Sequence, residues 1–124
     1  MRLKVAILIV GFLLVVAGPS PLLAHHSVSM YDMANPTTVV GVVERVEWTN
    51  PHTYVYLLAK NDKGVVEEWA MELNSPNFLK HNGWTNSMVK AGDTITCTGG
   101  RAKDGARSMR VTGVKLSNGL ELRS

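Results

Sequence analysis

Leu73-Asn74-Ser75-Pro76-Asn77-Phe78-Leu79-Lys80-His81-Asn82-Gly83-Trp84 (residues 73–84) is the one stretch that reads convincingly as a helix, and its position decides the fold. Ser75 is a good N-cap, Pro76 suits the first helical position where no amide donor is needed, and Gly83 suits the left-handed residue past the end. Phe78 and Leu79 supply an apolar face. About two turns are not stable alone, so the helix must dock, with Trp84 and Met88 expected to seat it.

Three strand-like segments precede it. Thr38–Trp48 is dense in β-branched residues, with Val40, Val42, Val46 and Trp48 on one alternating face and a bulge or bend expected at Gly41. Thr49-Asn50-Pro51-His52 interrupts it, because proline offers no ladder donor. Thr53–Lys60 places Val55, Leu57 and Ala59 on one face and Tyr54, Tyr56 and Leu58 on the other. After the hairpin residues Asn61-Asp62-Lys63-Gly64, Val65–Leu73 points Val65, Trp69, Met71 and Leu73 to the core and Glu68 and Glu72 to water. Thr94–Gly99 and Ser108–Leu116 follow the helix as strands, and a short tail runs from Leu120 to Arg123. The order β-β-β-α-β-β predicts a mainly β protein: a small OB-fold-like five-stranded barrel with one short helix between strands three and four. The other arrangement considered, an open β-sandwich, explains the placing of that helix less well.

The N-terminus reads as a secretory signal over residues 1–24. Arg2 and Lys4 precede an apolar run from Val5 to Ala17, Gly18, Pro19 and Pro21 break it, and Leu22-Leu23-Ala24 offers a cleavage site. The run is shorter than the roughly 20 residues a spanning helix needs, so no membrane span is expected after its removal. Residues 25–37 read as an N-terminal arm and 38–124 as the barrel domain. The expected location is periplasmic or secreted.

The chain has 13 Lys+Arg and 10 Asp+Glu; two of the basic residues lie in the signal, which leaves 11 against 10, a net of +1, in residues 25–124. A nucleic-acid binder usually has a clustered basic surface, and none is expected here. The densest basic stretch, Arg101, Lys103, Arg107 and Arg110, reads as a solvated turn between two strands. Cys97 alternates with Ile95 and reads as core packing.

An Ala-His-His-Ser start to the mature chain, the strand Gly41-Val42-Val43-Glu44-Arg45-Val46-Glu47-Trp48 running into Thr49-Asn50-Pro51-His52, and later Glu72-Leu73-Asn74-Ser75-Pro76-Asn77 with Gly83-Trp84 resemble a family of small exported bacterial proteins of unknown function. The resemblance covers nearly all of the mature chain. It implies a periplasmic or secreted bacterial protein, is consistent with the OB-like barrel, and brings no reaction or catalytic residue with it.

Candidate chemistry therefore comes from the residues themselves. Cleavage after Ala24 sets a free amine on His25, beside His26, and these nitrogens with His52 form a candidate copper or zinc site. His81, at the helix end, is expected to meet exposed carbonyls there. Asn50, His52, Tyr54 and Tyr56 form a candidate ligand surface, because the second-strand face and the loop before it are where OB-folds often bind. No nucleophile elbow, HExxH, paired CxxC, haem-attachment CxxCH or phosphate loop occurs, and Glu67, Glu68 and Glu72 read as a solvated face, so no enzyme is expected. The leading expectation is an exported, non-catalytic binding or interaction module for an unknown small ligand or envelope protein. The alternative is a copper or zinc binder that uses the mature N-terminal histidines.

Overall fold

The computed structural model describes residues 28–124. The elements are β1 (Thr37–Glu47), β2 (Tyr54–Lys60), β3 (Val66–Glu72), helix α1 (Pro76–His81), β4 (Thr94–Arg101), β5 (Ser108–Lys115) and β6 (Glu121–Arg123). Antiparallel pairings join β3 to β2, β2 to β1, β1 to β4 and β4 to β5. A short parallel contact, Ala70–Glu72 against Ser108–Arg110, closes the ring. Five strands thus form a closed barrel with the helix between strands three and four, as the element order predicts. β6 extends the seam by pairing with the C-terminal part of β5.

Closure gathers one core from Val43, Val55, Leu57, Trp69, Met71, Leu73, Leu79, Trp84, Ile95, Met109, Val111 and their neighbours. The β2 facing follows the sequence: Val55, Leu57 and Ala59 are buried. The facing of β1 does not. Val40 and Val42 are exposed, whereas Gly41 and Val43 point inward. The register breaks between Val43 and Arg45, so the extra residue there switches the inward parity from odd to even, and Val46 and Trp48 then pack against the core. The bulge lies three residues beyond the expected Gly41. A glycine is needed at position 41 for another reason, since a Cβ there would lie 2.8 Å from the Leu58 carbonyl oxygen. Val65 also departs from expectation: it precedes β3 and is exposed.

Helix α1 ends are built as the sequence reads. Ser75 Oγ accepts from the Phe78 amide at 3.3 Å. At the other end Gly83, at φ +88°, donates to Lys80 O and Trp84 donates to Leu79 O, the paired bonds of a Schellman cap. Leu79 and Trp84 are buried, Phe78 is not, and Trp84 Nε1 donates to Arg123 O at 2.7 Å, so the helix plugs one end of the barrel. His81 is exposed, and it is the Asn82 side chain that donates to Phe78 O.

Cys97 is fully buried on β4, and burial pushes its thiol up to about 12. Burial, more than any other cause, also pushes the Tyr31 phenol up to about 12. Both groups hold their protons more tightly folded than unfolded, so their stabilisation is complete below the unfolded values and is lost as pH rises toward 12. Denaturant midpoints are therefore expected to fall from pH 9 upward, and Cys97→Val should flatten the first part of that fall. A native thiol at pH 8 should resist iodoacetamide until the chain is unfolded.

Candidate functional site

The segment Thr49–Thr53 turns from β1 into β2 with a cis peptide between Asn50 and Pro51. It is fastened to the β3–α1 junction: the Thr53 amide donates to Asn74 O at 3.1 Å, and the Leu73 amide donates to Thr53 O at 2.8 Å. Thr49 Oγ1 donates to His52 O at 3.1 Å and braces the loop from within. These bonds set the His52 side chain against the end of β3.

There it meets Glu72. His52 Nδ1 lies 2.8 Å from Glu72 Oε1, with the imidazole 24% and the carboxylate 5% exposed. Two lone pairs at that distance would repel, so Nδ1 carries a proton, and in the neutral ring Nε2 holds the free lone pair. Glu72 does not face water as the strand alternation suggests. Arg110, itself buried on β5, approaches Oε1 at 3.4 Å and also donates to Leu73 O at 2.8 Å and Asn74 Oδ1 at 2.9 Å. The Tyr31 hydroxyl donates to Oε2 at 2.8 Å and stands 3.0 Å from Ser108 Oγ. Both carboxylate oxygens are thus engaged, the condition under which a buried charge is tolerated.

Tyr31 comes from the N-terminal arm, which is laid along the end of β4. Tyr31 bridges Ala102, the Asp32 amide donates to Arg101 O, and the Lys103 amide donates to Met30 O. Gly100 permits the close approach, because a Cβ there would stand 2.7 Å from both Asp32 O and Met33 Sδ. Gly100→Ala is expected to cost about 1–3 kcal/mol, the range for overpacking. Hydrogen exchange checks its locality: the Asp32 and Lys103 amides should exchange faster while the Leu57 and Cys97 amides stay protected.

Of the residues expected at the ligand surface, Asn50 is exposed at the loop, and Tyr54 and Tyr56 are half-buried on the outer face of β2. Their rings stack at 6.3 Å between centroids with 26° between planes. The Arg45 guanidinium covers Tyr56 at 3.5 Å and is itself ringed by Glu44 at 2.9 Å, Glu68 at 3.4 Å and Glu47 at 3.5 Å. Burial and the nearby Glu72 charge raise the Tyr54 phenol above its ordinary value. His25 and His26 lie outside the described residues, as do residues 1–24, where a secretory signal is expected. Among the described residues no three His, Cys, Asp or Glu side chains gather as a metal set, and no helix is long and apolar enough to cross a membrane.

Glu72, Arg110, Tyr31 and Ser108 are the residues that sequence reasoning missed. The sequence pattern of a family of unknown function, DUF6152, matches residues 13–111. The chain belongs to that family. Tyr31, His52, Glu72, Ser108 and Arg110 of this DUF6152 chain all fall inside the matched span. No curated protein matches the chain. Four clefts among the described residues of this DUF6152 barrel are lined without His52: one of ≈ 600 Å³ runs beside Thr38, Thr98, Thr112 and Leu122, two smaller ones flank Trp69, and a fourth lies beside Asp93 and Asn118. At the His52 centre the polar groups converge on one carboxylate, whereas the walls of the larger cleft mix four threonines with Lys115, Glu121, Arg123 and the apolar Val114 and Leu122.

Proposed function

We propose that the chain is an exported, non-catalytic binding module whose binding atom is His52 Nε2, and that its ligand is a Cu(II) or Zn(II) ion shared with the mature N-terminus. The observation that carries this reading is the carboxylate behind the ring. Metal-ligating imidazoles usually donate their second N–H to a carboxylate, which fixes the tautomer and raises ligand basicity. Glu72 stands in that relation to His52. The same carboxylate accepts from Tyr31, so Tyr31 is held close to His52. Tyr31 is five positions after His26 in sequence, a reach of at most about 18 Å. Signal removal after Ala24 would add the terminal amine to the donor set, and a periplasmic or secreted location follows from the same reading.

Titrating the mature chain with Cu(II) tests it. One equivalent should bind with nitrogen hyperfine structure in the electron paramagnetic resonance spectrum, and one extra residue before His25 should weaken binding by moving the amine. Unchanged affinity and spectrum in the extended chain would exclude the terminal amine.

A second reading is favoured by the stacked Tyr54–Tyr56 pair. In it the outer β2 face, with the Asn50–His52 loop, takes a polar small ligand or an envelope protein. The Glu44, Glu47 and Glu68 fringe makes that face unsuited to a polyanion, which argues against nucleic acid. Ligand-induced NMR shifts confined to Tyr54 and Tyr56, without metal, would favour this reading over the first.

A further inference from the structure

The start of β1, the end of β2, the start of β3 and the end of β4 meet at the barrel end away from helix α1. Trp69 forms the floor there, 6% exposed. The Arg101 guanidinium carbon stands 4.4 Å above its ring. A guanidinium over an aromatic ring leaves N–H groups for other acceptors, and its fork matches a carboxylate in two parallel hydrogen bonds. No carboxylate among the described residues lies within ion-pair distance of Arg101. Among the described residues, its side chain is partnered by the Trp69 indole.

Two cavities open on either side of this side chain and share Glu67, Trp69 and Arg101. The one of ≈ 380 Å³ adds Lys60 and Asp62, and the one of ≈ 420 Å³ adds Ala102, Gly105, Ala106 and Arg107. Both volumes fall in the range of small-molecule sites, roughly 300–1,000 Å³. Arg107 brings a second guanidinium, held to Glu67 only at 3.8 Å while Asn61 Nδ2 donates to the same oxygen at 3.0 Å. Lys60, Arg101 and Arg107 face Asp62 and Glu67, so the lining carries one more cation than anion.

We propose that this mouth binds a small monocarboxylate, clamped by the Arg101 edge in the ≈ 420 Å³ cavity between β3 and the β4–β5 turn, with its apolar body against Ala102, Ala106 and the Trp69 edge. A single negative charge balances the lining. The small residues Ala102, Gly105 and Ala106 leave room for a ring or short chain. Neither His52 nor Glu72 lines the two cavities.

The probe is sodium benzoate, titrated at constant ionic strength into the ¹⁵N-labelled chain and followed by NMR. Saturable shifts are expected at the Trp69 indole N–H and the Arg101 Nε–H. Arg101→Lys keeps the charge and removes the fork, so the dissociation constant should rise at least about tenfold. Ala106→Phe keeps both guanidinium groups and fills the cavity, so the shifts should vanish. Spectral dispersion reports whether each variant is folded. His52→Ala should change nothing here. Non-saturating shifts, equal affinity in Arg101→Lys, binding that survives Ala106→Phe, or inorganic phosphate binding as tightly as benzoate would each overturn the proposal.

Discussion

Trp69→Ala is expected to lower the stability of the chain by roughly 3–5 kcal/mol, the range for deleting a buried large aromatic. Trp69 is almost completely buried, and its neighbours along β3 are held by register on both sides: Leu57 of β2 pairs with Trp69 itself, and Ala70 next to it pairs with Ser108 of β5. Strands committed to a closed ring collapse little into a void, which favours the upper half of that range. Small domains have only about 5–15 kcal/mol in total, so the variant should unfold at a far lower urea concentration than wild type. Arg101 would also lose its aromatic support. An unchanged midpoint would mean that Trp69 is not part of the core.

Glu72→Ala is expected to have an effect of similar size for a different reason. Removing one partner of a buried ion pair leaves the other charge uncompensated, at about 3–5 kcal/mol. Arg110 keeps Leu73 O and Asn74 Oδ1, so the lower end of that range applies. The loss should also loosen the arm, because Tyr31 loses its carboxylate, and faster hydrogen exchange at Tyr31 and Asp32 would register it. Glu72→Gln separates the roles. It preserves shape, and on the proposed function metal affinity at His52 should still drop by about 10- to 100-fold, as for the carboxylate behind metal-bound imidazoles.

How far such features are legible in sequence depends on how local they are. Helix α1 is legible because its start and stop signals are short-range: Ser75, Pro76 and Gly83 each act within a few residues. The element order then gives the barrel. The β1 facing is not legible, since the extra residue after Val43 leaves no composition mark among Val42-Val43-Glu44-Arg45-Val46 and reverses which valines point inward. Glu72 is misread for a long-range reason. Alternation correctly sets it opposite Met71, on the outer face, but the outer face is covered there by Tyr31, 41 residues away, and by Arg110, 38 residues away. Arg110 likewise leaves the solvated basic turn and enters the seam between β3 and β5. His52 is legible as a loop histidine, but not as an imidazole backed by a carboxylate. Tyr31 carries the one available hint, as the sole aromatic in an arm without periodicity.

Cu(II) affinity of a chain starting at His25, measured side by side for wild type and His52→Ala, decides whether His52 is a metal ligand. The imidazole lies at the surface, 24% exposed, so its removal should leave the barrel folded. One tight equivalent in wild type and at least about a tenfold loss in His52→Ala is the predicted result. Equal affinity in the two proteins, or wild-type binding no stronger than that of a generic surface histidine, would contradict it.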